Sequence, residues 1–209
     1  KKVMNNLRDL PIDFEIIMII RNQRSWLISW YQERIKRLET RNFNKWLTSK
    51  DTKNTLEVIN YFRTINLWRK FFKNKKITII PFEKLKKDPD KFIKEISKIL
   101  KTKIKIDDTS IVKSSISKRG IIFKRNMNIL GGMIVSLFGK SSFPFTFFWK
   151  INKKLLSLDF LISKLFKSKI NYSLDSRIAR EYEKNNKLLD KHNKFNLKEY
   201  GYFNLNSKR

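Results

Sequence analysis

The stretch Ile16-Ile17-Met18-Ile19-Ile20-Arg21-Asn22-Gln23-Arg24-Ser25-Trp26-Leu27-Ile28-Ser29-Trp30-Tyr31 decides the fold. Ile16 to Ile20 are apolar without alternation, the pattern of a strand covered on both faces, as in a parallel sheet flanked by helices. The run stops on Arg21, which then sits at the carboxyl end of the strand, where open α/β sheets bind ligands. Beyond it Trp26, Leu27, Trp30, Tyr31, Ile35 and Leu38 recur at spacings of three and four, so residues 24–39 are expected to form an amphipathic helix with Ser29 in its first turns. An arginine offers a permanent charge and a planar fork of donors, and a serine on the following helix adds a short one, a combination suited to phosphate. The alternative is an ordinary strand-to-helix junction with a solvated arginine. Trp26 and Trp30 read as core before they read as a stacking platform.

Working outward, residues 41–50 read as a loop or short helix around Phe43, Trp46 and Leu47. Leu56 to Phe72 carries apolar residues at helical spacing and is expected to be one amphipathic helix covering the sheet. After the polar turn Lys73 to Lys76, the β-branched run Ile77 to Ile80 is expected to be a second buried parallel strand, reached by a helical crossover. Glu83 follows it and reads as structural in preference to a general base. Asp88 and Pro89 open the next helix as cap and first residue, with Phe92, Ile93, Ile96, Ile99 and Leu100 on one face. Asp175 to Lys191 reads as a helix, and the only histidine, His192, falls in the polar turn after it.

The 209 residues are 41% hydrophobic and 13% aromatic, which supports one domain, 1–209, with a sizeable core and excludes general disorder. Lysine and arginine number 48 against 19 acidic residues, a net charge of +29. Such a chain is attracted to phosphates, polyanions and anionic membrane surfaces. The charge is spread along the whole sequence together with abundant asparagine and isoleucine, as an AT-rich coding sequence would produce, which weakens it as a functional signal. The chain has no cysteine, so disulfides and thiolate metal sites are excluded, and with a single histidine no metal site is expected.

The block Arg21-Asn-Gln-Arg-Ser-Trp-Leu-Ile-Ser29, followed by Pro81-Phe-Glu-Lys-Leu-Lys-Lys-Asp-Pro89 and Phe92 to Leu100, resembles the sulfotransferases that use 3′-phosphoadenosine 5′-phosphosulfate. The tail from Asn185 to Tyr202 is similar to the closing segment of many bacterial members. The resemblance implies a parallel sheet flanked by helices, of the P-loop nucleotide-kinase-like sulfotransferase kind. It also implies transfer of a sulfuryl group from that donor to a hydroxyl or amine acceptor, a glycan or glycolipid. In this family an arginine at a strand end and a serine eight residues on bind the donor's 3′-phosphate, and Arg21 and Ser29 match that spacing. Gln23 stands where many members have proline, which changes the turn and removes no phosphate ligand. A late loop closes over the same phosphate in cytosolic members, and Lys118, Arg119 and Gly120 offer a comparable segment, with a solvated basic loop as the alternative. The region 41–50 often touches acceptor in the family. The mechanism implied needs no metal.

The five glycines are Gly120, Gly131, Gly132, Gly139 and Gly201, so no glycine-rich phosphate loop precedes residue 120. In the family that loop lies on the first strand, upstream of the arginine–serine motif. The expectation is therefore an amino-terminally truncated sulfotransferase domain, with the strand, the loop and its lysine upstream of Lys1, and a 209-residue chain inactive on its own. The catalytic residue is not assigned.

Residues 127–149 are the most apolar region, interrupted by Gly131-Gly132, by Gly139-Lys140-Ser-Ser and by Pro144, so no clean run long enough to span a bilayer is expected. With Lys153, Lys154, Lys164, Lys167 and Lys169 beyond it, the segment 127–170 suits a surface lying on a membrane or a partner, or burial in an acceptor-binding lobe. The expected partners are the donor nucleotide and a glycan or lipid-linked acceptor, with peripheral membrane contact, no specific nucleic acid and a cytoplasmic location. The rival reading is a non-catalytic basic domain, a degenerate relative that binds a membrane or a polyanion.

Overall fold

The computed structural model describes residues 5–7, 13–104, 117–140, 146–148, 150, 172–193 and 195–206. Its elements in chain order are β1 (Ile16–Ile20), α1 (Gln23–Lys36), α2 (Phe43–Leu47), α3 (Lys50–Val58), α4 (Tyr61–Phe71), β2 (Ile77–Pro81), α5 (Glu83–Lys87), α6 (Pro89–Leu100), α7 (Lys118–Phe138) and α8 (Ser176–Asn193). The chain divides into two compact units, one of Lys1–Ser25, Lys50–Thr109 and Leu174–Arg209, the other of Trp26–Ser49 and Ser110–Ser173.

The first unit is built on two β-branched runs that pair in parallel, with Ile16 opposite Ile77 and Ile20 opposite Pro81. Proline closes β2 without cost to the ladder, because the next residue continues it: the Phe82 N–H donates to the Ile20 carbonyl at 2.7 Å. This is the α/β arrangement expected, helix-rich around a two-stranded parallel sheet. Ile20, Ile65, Ile79, Leu189, Leu197 and Tyr202 form its core. β1 is not covered on both faces as expected: Ile20 is buried, but Ile19 is 55% exposed. The helix from Asp88 forms as read, with the Asp88 carboxylate accepting from the Lys91 N–H at 2.9 Å and Pro89 in the first turn. The short helix α5 before it was not anticipated.

The expected helix over residues 56–72 is two helices. Asn60 leaves helical geometry at φ −75° and ψ 78°. It is buried, and its amide donates to Glu181 at 2.9 Å and accepts from Asn185 at 3.0 Å. Long-range partners of one asparagine thus outweigh a continuous apolar spacing. α8 forms with Asp175 accepting from the Arg177 N–H at 2.9 Å. His192 lies inside its last turn, stacked on Phe62 with ring centres 6.1 Å apart, and not in the polar turn expected beyond it.

The second unit has an aromatic centre of Tyr31, Phe43, Trp46 and Tyr172, with Tyr31 and Trp46 rings 5.2 Å apart. Trp30 packs edge-on to Trp46 at 4.9 Å, in keeping with a core role. Asn42 caps α2 by accepting from the Lys45 N–H at 2.9 Å. α7 runs unbroken through Gly131 and Gly132, and Arg119–Phe138 is long and apolar enough to cross a membrane by length and composition, contrary to the expected interruption. Close packing explains the first glycine, since a Cβ at Gly131 would lie 2.8 Å from the Phe148 ring. Lys153, Lys154, Lys164, Lys167 and Lys169, with Pro144, lie outside the described residues.

Candidate functional site

Arg21 follows the last residue of β1, and the chain turns at once into α1. Asn22 fixes that turn. Its side-chain oxygen accepts from the Ser25 N–H at 3.1 Å, capping the helix, and its amide donates to the Gly201 carbonyl at 3.0 Å. Its backbone N–H donates to Glu83 Oε1 at 2.8 Å, so β1, α5 and the carboxyl-terminal turn meet at one residue. Gln23 opens the helix, where proline would also fit. It is fully buried and exchanges two amide hydrogen bonds with Asn186, at 2.8 and 3.0 Å.

The Arg21 side chain is half-buried and oriented from two sides. Its Nε donates to Ser25 Oγ at 3.2 Å, and its guanidinium carbon stands 5.3 Å from the centre of the Phe82 ring. Its peptide is held as well: the Tyr61 hydroxyl donates to the Arg21 carbonyl at 2.7 Å and accepts from the Arg21 N–H at 3.2 Å. Among the described residues the two terminal nitrogens of Arg21 make no hydrogen bond and no ion pair. A guanidinium aimed by its Nε, with its outer donors unused and a helix amino terminus next to it, has the chemistry to take an anion in a bidentate fork.

Glu83 makes no ion pair with it. One of its oxygens accepts from the Asn22 N–H, and the other accepts from the Tyr202 hydroxyl at 2.8 Å. Burial, first of all, pushes the Tyr61 and Tyr202 phenols well above their ordinary range, so both remain neutral hydroxyl donors. Glu83 is therefore a fastening, as the sequence suggested, with both oxygens engaged.

Of the residues singled out from sequence, Arg21 belongs to the first unit, and Ser29, Lys118, Arg119 and Gly120 to the second. Ser29 is an exposed residue of α1, one turn beyond Ser25, and its hydroxyl has no hydrogen-bond partner among the described residues. Lys118, Arg119 and Gly120 are not a loop, as expected, but the first turn of α7. Ser117 caps that turn, its Oγ accepting from the Gly120 N–H at 3.0 Å, so this amide is already occupied. The chain before Ser117, including Ser114 to Ile116, lies outside the described residues. Sequence reasoning missed Asn22, Ser25, Tyr61 and Phe82. Asn22 was findable as a cap three residues ahead of a serine. Tyr61 and Phe82 act through contacts 40 and 61 residues away from Arg21 in sequence, which no local signal carries.

The family model described as Sulfotransferase domain matches residues 10–119, which span β1, the Arg21 turn, β2 and the helices through α6. Neither the curated proteins nor the solved structures contain a significant match.

Proposed function

The chain belongs to the sulfotransferase domain family, and from that premise we propose that it takes part in transfer of a sulfuryl group from 3′-phosphoadenosine 5′-phosphosulfate to a hydroxyl or amine of a glycan or glycolipid. The observation that carries this reading is the Arg21 guanidinium at the carboxyl end of β1, steered by Ser25 and Phe82 and with its outer nitrogens unengaged. When bound, the donor would supply an activated sulfuryl group: the acceptor oxygen or nitrogen attacks its sulfur in line and loses a proton, while the bond from sulfur to the 5′-phosphate oxygen breaks and 3′-phosphoadenosine 5′-phosphate leaves. Arg21 receives the 3′-phosphate through two parallel N–H donors, and Ser29 adds a hydroxyl, as the eight-residue spacing of the motif supports. The amino-terminal end of the α1 dipole favours the same anion. The frame in this reading is the nucleotide-kinase-like fold of the family.

Binding of 3′-phosphoadenosine 5′-phosphate, followed by titration calorimetry, tests it. Arg21→Ala weakens that binding by about 2 kcal/mol and Ser29→Ala by about 1 kcal/mol. Affinities equal to the parent's in both variants refute the assignment.

The reading includes a lipid-linked acceptor and a cytoplasmic, membrane-peripheral location; one observation in the second unit supports its membrane-contact part. Leu130, Met133, Leu137 and Phe138 of α7 are all exposed, Leu137 at 76%. The first half of the helix is occupied inside its unit, where Ile121 and Lys124 are buried and the Asn128 amide donates to the Ile35 and Glu39 carbonyls at 2.8 and 2.9 Å. The apolar remainder, about 13 Å long, is less than half a hydrocarbon core and suits lying on a bilayer. Co-sedimentation with anionic vesicles is expected, reversed by alkaline wash; resistance to that wash indicates insertion and rejects the peripheral reading.

A further inference from the structure

α8 carries a cationic surface that the nucleotide reading does not use. Arg177, Arg180, Lys184, Lys187 and Lys191 follow one another at spacings of three, four, three and four residues and are all exposed. That spacing puts five cations on one face of the helix, in a line about 21 Å long with a charge every ~5 Å. A shallow groove of about 470 Å³ runs along it, lined by Arg180, Glu183, Lys184, Lys187, Leu188 and Lys191.

The acids of α8 each have a partner outside the line of cations. Glu181 pairs with Arg63 at 3.6 Å and accepts from Asn60. Glu183 accepts from the Leu205 N–H at 2.8 Å, and Asp190 from the Leu197 N–H at 3.0 Å. Among the described residues none of the five cations has an ion-pair partner; Lys187 alone makes a further contact, 6.0 Å from the Phe203 ring centre. A basic composition by itself would scatter cations among acids. Here the acids are fastened to backbone or to other elements and the cations are aligned. The line also works against its own helix, because like charges three and four apart repel and Arg177 stands at the positive end of the macrodipole.

We infer that this face of α8 binds a linear anionic polysaccharide, sulfated or carboxylated, laid along the helix axis. The line is one side chain wide, with Glu181 on one side and Asp190 and Glu183 on the other; Glu183 lines the groove with its carboxylate held by the Leu205 N–H, so a flat anionic bilayer would bring its headgroups against more carboxylates than a single polymer strand would. On α8 Tyr182 is buried and the exposed ring of His192 is already stacked on Phe62, so the helix offers nucleobases no unoccupied aromatic face, and recognition rests on charge spacing. The polymer site stands apart from the donor reading, since it uses neither Arg21 nor any nucleotide.

The test measures binding of a size-defined heparin oligosaccharide to the full chain, without donor, over a range of salt. In Arg180→Glu/Lys184→Glu/Lys191→Glu the affinity falls at least about tenfold, and the slope of log affinity against log salt falls by about 2, from three lost contacts. Arg180→Gln/Lys184→Gln/Lys191→Gln gives a smaller loss in the same direction, and circular dichroism checks that both variants keep their helix. Lys53→Glu/Lys70→Glu/Lys94→Glu, the same charge change on exposed lysines of α3, α4 and α6, stays within about threefold of the parent. Arg21→Ala binds the oligosaccharide as the parent does. Equal losses in the two glutamate sets overturn the inference, as does tighter binding of a single-stranded oligonucleotide or of phosphatidylserine vesicles that the α8 substitutions abolish.

Discussion

Arg21 in the first unit and Arg41 in the second are both half-buried arginines, and they differ in what holds them. Glu39, whose side chain is 5% exposed, closes a fork on Arg41, with Oε1 to Nε at 2.8 Å and Oε2 to Nη2 at 2.7 Å. The same carboxylate accepts from the Thr40 and Arg41 N–H groups at 3.0 Å. Glu83 in the first unit accepts instead from a peptide N–H and a phenol, both neutral. The guanidinium of Arg41 is thus engaged in a carboxylate, while that of Arg21 keeps its outer donors. Residue type is the same in both places; the difference is that Glu39 meets the guanidinium as well as two peptide N–H groups, whereas Glu83 makes neither a hydrogen bond nor an ion pair with Arg21.

The largest effect expected from this difference is on folding. Glu39→Ala removes a nearly buried acceptor of four donors and lowers stability by about 3 kcal/mol, read from urea or thermal unfolding. A change below about 1 kcal/mol breaks the comparison from the side of the second unit. The acid limb carries the same signature. Hydrogen bonding to Arg41 holds the Glu39 carboxyl below its ordinary range. Its contribution is therefore complete above the unfolded value and is lost as pH falls through the lowered folded value. Glu39→Gln flattens stability against pH in that window, and an unchanged acid limb counts against the pairing.

Exchanging the readouts sharpens the contrast. Arg41→Ala costs about 2 kcal/mol of stability, whereas Arg21→Ala leaves stability within about 0.5 kcal/mol and acts on nucleotide binding. Were Arg41→Ala to weaken nucleotide binding as much as Arg21→Ala, the distinction would collapse. The smallest effect belongs to the fastening of Glu83. Tyr202→Phe withdraws one neutral donor and costs about 1 kcal/mol, with 3′-phosphoadenosine 5′-phosphate affinity changed less than in Arg21→Ala.

What could be read from the chain alone follows the range of the forces involved. Ile16 to Ile20, Ile77 to Ile80 and the Asp88-Pro89 helix start are local patterns, and each formed where its composition put it. Arg21 was legible as a strand-end residue because an apolar run ended on it. Its orientation was not, since Phe82 and Tyr61 reach it only through the packing of β2 and α4. The break at Asn60 escaped because apolar spacing continues across it, and the decisive partners are on α8, more than a hundred residues away. Gly131-Gly132 misled for the opposite reason. Glycine disfavours a helix by about 1 kcal/mol locally, and that local penalty was read as a stop. At Gly131 the close approach of Phe148 repays it in packing.

The exposed apolar side chains have a bearing on how copies of this protein meet. Ile19 of β1 is 55% exposed, and Leu137 of α7 is 76% exposed. Such side chains invite association, and net charge opposes it. Here the opposition is collective: a charge of +29 on 209 residues keeps molecules apart while counter-ions are few. At physiological salt the field of each molecule fades within about 8 Å, and the apolar side chains are left without that protection. Colloidal stability of this chain therefore runs against the usual advice, best in dilute electrolyte and poorest in the salted buffers in which basic proteins are customarily stored.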